Sequence, residues 1–219
     1  TIDMWKLLRK DFVLTMHPVT PFFLLLSAMV LIPNYPYSVV FFYTGLSLFF
    51  TCLAGRENRD IPYTLFLPVR RRDVVAARMA FAVCLQLAQL ALAGLLGVLS
   101  QRLYPGNAAG LEPNLAFLGW GLMLYALFNA VFFGVYYRNV ERVGWSFLAS
   151  SAVVFAGVAA EVISTYAVPF VRDVLGTKDP AFLSQKLAVL LLGVLLYLLS
   201  LALTYRSAAR HFERQDVAV

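Results

Sequence analysis

The sequence predicts an all-α, polytopic membrane protein with six transmembrane helices, an N-terminal amphipathic interfacial helix and both termini cytoplasmic. Three observations carry this expectation. Of the 219 residues, 61% are hydrophobic and only 14% charged, where a soluble domain carries roughly a quarter charged residues. Several windows stay apolar for about 18 residues or more, the length of a bilayer crossing. Basic residues also crowd into alternate connections between those windows, the pattern that orients membrane helices. No polar stretch is long enough for a separate soluble domain.

Hydropathy read with turn punctuation places the crossings at about 19–32, 37–54, 79–99, 115–137, 145–167 and 187–205. The first is short, with fourteen residues and with Pro18 and Pro21 at its start. Charge placement argues that it crosses. With six spans, one side receives Lys6, Arg9 and Lys10, six arginines from the 55–78 loop, Arg138 and Arg142, and Arg206, Arg210 and Arg214. That is fourteen basic residues, against four (Arg102, Arg172, Lys178, Lys186) on the other side. Were the first segment not to cross, the N-terminus and the 55–78 loop would lie on opposite sides and the bias would largely vanish.

The expected organisation is an amphipathic helix over 1–17, a membrane domain over 18–206 and a cytoplasmic tail over 207–219. In residues 4–16, Trp5, Leu8 and Phe12 share one stripe and Asp3, Lys6 and Lys10 another, which suits a helix lying along the membrane surface. The charged opening "TIDMWKLLRKDF" lacks a following small-residue cleavage site, so it is expected in the mature protein. Its start at Thr1 rather than Met is expected to reflect trimming or processing. After Pro68 nothing breaks a helix from about Arg71 to Ser100, roughly 45 Å at 1.5 Å per residue against a hydrocarbon core of roughly 30 Å. The third helix should therefore extend two or more turns beyond the membrane. On the other side the connections are short, with an interfacial helix expected within "VPFVRDVLGTKDPAF".

The densest charge is "GRENRDIPYTLFLPVRRRDVVAAR", residues 55–78, with six arginines and three acids. Topology alone accounts for Arg70, Arg71 and Arg72. It does not account for Tyr63, Leu65, Phe66 and Leu67, an apolar cluster rimmed by charge, which has the anatomy of a protein–protein contact.

This loop resembles that of the ABC-2 type transporter permeases, on Glu57, Tyr63, Leu67-Pro68, Arg71 or Arg72, Val74-Val75 and Arg78 between the second and third spans. Within that family it looks most like the compact permeases of phenol-soluble-modulin and other peptide exporters, and less like haem-exporter permeases, which carry an acidic-Gly-Ser run where this chain has "ENRD". The resemblance implies a permease subunit, not catalytic by itself, that couples ATP hydrolysis in a separate P-loop ATPase to export of an amphipathic substrate such as a peptide. ATP and Mg would be bound by that ATPase and no cofactor by this chain. The implied ATPase contacts are Glu57, Arg59, Asp60, Tyr63, Leu65, Phe66, Leu67, Pro68, Arg71 and Arg72, with Arg138, Glu141 and Arg142 as a second contact. A second copy or a related permease would complete the pore in a bacterial plasma membrane, with lipid as the other partner and no nucleic acid.

Within the spans, Gln86, Gln89 and Asn129 either bond neighbouring helices or line a translocation cavity at a dimer interface. Ser27 and Thr51 are further polar residues of the first two spans. Glu161 is either an interfacial carboxylate or an outer gate for a cationic substrate. Ala130 and Gly134, four apart, suggest a small-residue packing face, as does "GLLG" at 94–97. Cys52 and Cys84 read as free thiols with no framework or metal site. His17 and His211 lack partners at ligand spacing, no metal site is expected, and no "GxxxxGK[ST]" occurs. Two rival readings remain: an intramembrane enzyme, which would need convergent ionisable groups at mid-depth, and a non-transporting scaffold or assembly factor. Within the ABC-2 reading, lipid or haem is the alternative cargo.

Overall fold

The computed structural model describes residues 3–104 and 106–214. Among these residues all regular structure is helical. Residues 1–2 of the expected N-terminal segment and 215–219 of the expected tail lie outside the described residues.

Helix α1 (Met4–Lys10) starts at Asp3, whose carboxylate accepts the Trp5 N–H. It widens into a π-helical turn, Asp11–Thr15. Pro18 cannot donate a helical hydrogen bond, so the chain breaks there and turns by 90° into the next segment. Helix α2 (Thr20–Leu25) carries Pro21 in its first turn, where the missing donor costs nothing. It then tightens into a 3-10 helix, Leu26–Leu31. Six α residues and six 3-10 residues together rise ~21 Å, about 3 Å more than twelve α residues would. The tighter winding stretches a short segment towards the far side.

It arrives there. Asn34, held at φ 54° in the left-handed region that Asn tolerates, accepts the Ala108 N–H at 3.2 Å, and the Tyr35 carbonyl accepts from Asn107 at 3.1 Å. Both partners belong to the connection beyond the end of the long helix α5 (Arg71–Leu103), whereas Asp11 is bonded to Arg78 near the start of that helix. The segment between Asp11 and Asn34 therefore traverses the bundle, and the broken pair contributes the sixth pass beside five long apolar helices.

Those five are α3 (Val40–Glu57), α5 (Arg71–Leu103), α6 (Leu115–Tyr136), α7 (Val143–Ala167) and α8 (Leu183–Glu213); a short α4 (Asp60–Leu65) links α3 to α5. Helix α5 has 33 residues, ~50 Å, so it outruns the membrane as its unbroken sequence implies. The expected tail is helical as far as Glu213, because nothing after Tyr205 interrupts α8 before that point. The expected helix after α7 is a π turn, Val171–Leu175, followed by a 3-10 turn, Pro180–Phe182.

Helix α6 forms the centre. Asn114 caps it by accepting the Ala116 and Phe117 N–H groups at 2.9 and 3.2 Å. Phe117, Tyr125, Phe132 and Tyr136 are buried along it, with Phe41 of α3 packed between Phe117 and Tyr125. Its approach to α8 is the closest in the bundle: a Cβ on Gly119 would stand 2.6 Å from the Val189 carbonyl oxygen, and one on Gly193 would strike the Gly119 carbonyl. Gly97 packs as expected, its Cβ position 2.9 Å from the Pro113 carbonyl oxygen. The proposed face of Ala130 and Gly134 does not pack within the chain: Ala130 is exposed and nothing lies within 4 Å of a Cβ on Gly134.

The N-terminal helix, the 55–78 segment, the 137–142 connection and the end of α8 gather at one end of the bundle, hereafter the basic end.

Candidate functional site

At the basic end α3 stops at Glu57, and Arg59 reverses the chain by adopting φ 53°. The left-handed region costs a non-glycine residue about 1 kcal/mol or more, so surrounding contacts must hold the reversal. They come from the inner face of α4. Ile61 and Thr64 are buried and Leu65 packs against the core. On the outer side Tyr63, Phe66 and Leu67 are 66%, 67% and 46% exposed.

Asp60 holds α4 down. Its carboxylate accepts from Arg78 at 2.7 Å and from Lys10 at 2.8 Å. The same Arg78 guanidinium donates to Asp11 at 3.1 and 3.3 Å, and Lys10 also lies 3.3 Å from Asp11. Two carboxylates and two cations thus close a neutral cluster joining α1, α4 and α5. Arg78 and Asp11 side chains are only 4% and 3% exposed, so the two buried groups pair with each other rather than with water. Burial works against the Asp60 carboxylate, but Arg78 and Lys10 outweigh it and hold its pKa below the usual carboxylate range. Lys10 further donates to Thr64 at 3.0 Å.

Four more arginines of the segment are drawn onto neighbours. Arg70 pairs with Asp73. Arg71 donates to the Phe212 carbonyl at 3.1 Å and lies over the Phe212 ring, while Arg72 bonds Glu213 at 2.7 Å. These two therefore fasten the start of α5 to the end of α8. Arg56 donates to the Glu141 carbonyl at 3.2 Å, which brings the second expected contact beside the first. A cleft of about 320 Å³ opens between them, lined by Arg56, Arg59, Ile61, Pro62, Val140 and Glu141 among others. Glu57, Arg59, Pro68, Arg138, Glu141 and Arg142 are all exposed, and Asp60 is turned inward.

The surface so assembled is a rigid, charge-rimmed apolar projection at the end of a membrane bundle. A family model described as ABC-2 family transporter protein matches residues 6–208. The chain belongs to the ABC-2 transporter family. As an ABC-2 transporter component it is a multi-pass permease subunit of an ABC transporter, a class that works with an ATPase subunit. No curated protein and no solved structure matches the chain.

Gln86, Gln89, Asn129 and Glu161 of this ABC-2 permease each find a partner within one chain, whereas Ser27 Oγ and Gln89 Oε1 are buried with no hydrogen-bond partner among the described residues. Gln86 and Asn129 exchange amide hydrogen bonds at 2.7 and 3.0 Å, and the Tyr197 hydroxyl donates to Gln86 at 2.6 Å. Gln89 donates to the Val40 carbonyl at 3.0 Å. Glu161 is buried at the opposite end, accepting the Leu111 N–H at 2.6 Å. All four make helix–helix or helix–loop contacts within the chain. Cys52 is buried beside Arg78 and Cys84 is exposed; both are free.

Sequence reasoning missed Lys10, Asp11 and Arg78 as a structural unit. The available signal was Asp11, an acid within an otherwise basic amphipathic helix. It also missed Tyr197, and Thr44 bonded to Tyr125 at 3.0 Å, because single hydroxyls in apolar runs carry no pattern.

Proposed function

We propose that this permease exports an amphipathic substrate, such as a peptide, across a bacterial plasma membrane, with its basic end in the cytoplasm. A P-loop ATPase binding ATP and Mg docks on the exposed face of α4, with the cleft beside Glu141 as the second contact. A second copy or a related permease completes the pore. The observation that carries this reading is the pairing of opposites on α4: Tyr63 and Phe66 face outward, while Asp60 is ion-locked to α1 and α5. A partner that moves the outward face must move the ion cluster, and α5 carries the displacement through the bilayer. Export of an amphipath fits a chain whose far-side connections are short.

The test is co-purification with a P-loop ATPase of the ABC class from the same organism, followed by reconstitution. Tyr63→Ala and Phe66→Asp alter exposed side chains, so expression and melting temperature should hold. Stimulated ATP hydrolysis and peptide efflux should fall about tenfold, the loss of a contact hot spot. Full coupling in both variants would remove α4 as the docking element.

A further inference from the structure

The last helix carries a surface that the transport cycle above does not use. From Leu187 to Tyr205 it has no charged residue. These nineteen residues rise ~28 Å, close to the thickness of the hydrocarbon core. Leu192, Leu195, Leu199 and Leu203 are all exposed and follow one another at helical spacing down a single face. Arg206 and Arg210 continue the same face without a break and are also exposed.

At that level a cavity of about 410 Å³ lies between the end of α8 and the start of α5, lined by Arg72, Tyr205, Arg206, Ala209, Arg210 and Glu213. Glu213 is taken by Arg72 at 2.7 Å. Arg210 reaches only the Arg206 carbonyl, at 3.1 Å, and among the described residues neither guanidinium has an ion-pair partner. Among the described residues two positive charges are therefore left without an ion pair, where α8 runs out of an apolar strip suited to acyl chains.

We propose that this cavity is a binding site for one anionic phospholipid, its phosphate held by Arg206 and Arg210 and its tails laid along the leucines of α8. The site lies between two transmembrane helices on the positively charged side, where basic pockets recognise acidic headgroups. Guanidinium groups suit it because each offers a fork of donors to phosphate oxygens. The leucine strip selects a lipid over a free anion. The inference rests on α8 crossing the membrane and not on the identity of the cargo or the ATPase.

Binding can be read on the purified full chain in neutral detergent by titrating phosphatidylglycerol and following melting temperature. Phosphatidylglycerol should raise it saturably, with no comparable rise from phosphatidylcholine or inorganic phosphate. The double variant Arg206→Ala/Arg210→Ala should need about thirtyfold more phosphatidylglycerol for the same rise. The variant Arg206→Lys/Arg210→Lys should bind more tightly than the double alanine variant but short of wild type, since it keeps the charge and loses the donor forks, and Arg102→Ala at the opposite end should bind like wild type. An equal shift with phosphatidylcholine would overturn the headgroup assignment, and a full shift with inorganic phosphate would overturn the lipid. An unchanged response in the double alanine variant, or an equal loss in Arg102→Ala, would overturn the site.

Discussion

Arg78 bonds both Asp11 and Asp60 and is almost fully enclosed. Removing it would leave two carboxylates to Lys10 alone, and breaking a buried pair costs about 3 kcal/mol or more. Arg78→Ala should therefore lower the melting temperature strongly, and Arg78→Lys should recover only part of the loss, since one ammonium cannot reproduce the planar fork. The pH dependence follows from Asp60. Its folded-state pKa is depressed, so its stabilising contribution is complete above the unfolded value of about 4 and disappears as pH falls through the lower folded value. Melting curves should show no Asp60 contribution to any change between pH 7 and 5, then an acid limb below about 4 that Asp60→Asn flattens. An unaltered acid limb in that variant would separate Asp60 from the cluster.

At the scale of elements, glycines divide by what approaches them. Gly119 and Gly193 let α6 and α8 touch backbone to backbone, the close packing that small residues permit in membranes. Gly119→Ala or Gly193→Ala should force the pair apart and cost about 1–3 kcal/mol, seen as a lower melting temperature in detergent. Gly134→Ala meets open space and should be neutral or slightly stabilising through helix propensity. Spacing alone could not separate these cases: Ala130 and Gly134 display the more familiar small-residue interval, yet the working contact joins glycines on two helices 74 positions apart in sequence. Hydropathy did locate the five long helices, because a span of apolar residues has only one way to satisfy its backbone in lipid. The long lead-in of α5 was readable because nothing after Pro68 interrupts it. The π turn at Asp11–Thr15 and the change to 3-10 winding at Leu26 were not, since both are responses to packing around a short, proline-flanked segment.

For the whole molecule, charge distribution located the site better than it explained it. The 55–78 segment stood out through its arginines. Yet the structure uses Arg71 and Arg72 to hold α8 and Arg78 in a core cluster, leaving Tyr63, Phe66 and Leu67 as the exposed large apolar side chains of the segment. Partners such as Asp11 and Arg78, 67 residues apart, are brought together only by tertiary packing. Orientation is open to direct measurement in a chain carrying Cys52→Ala and Cys84→Ala. A membrane-impermeant maleimide should label Arg172→Cys in intact cells and Arg138→Cys only after permeabilisation. The reverse result would invert the molecule in the membrane.

The first crossing, even stretched by its 3-10 half, has a helical rod of ~21 Å beside a hydrocarbon layer of ~30 Å. Phe22 and Leu25 on that rod are exposed, and where lipid meets them a thinner bilayer fits better, by a fraction of a kcal/mol for each ångström of mismatch. Short-tailed lipids should gather on that flank, and a polar group skirting the perimeter meets its shallowest oily barrier there.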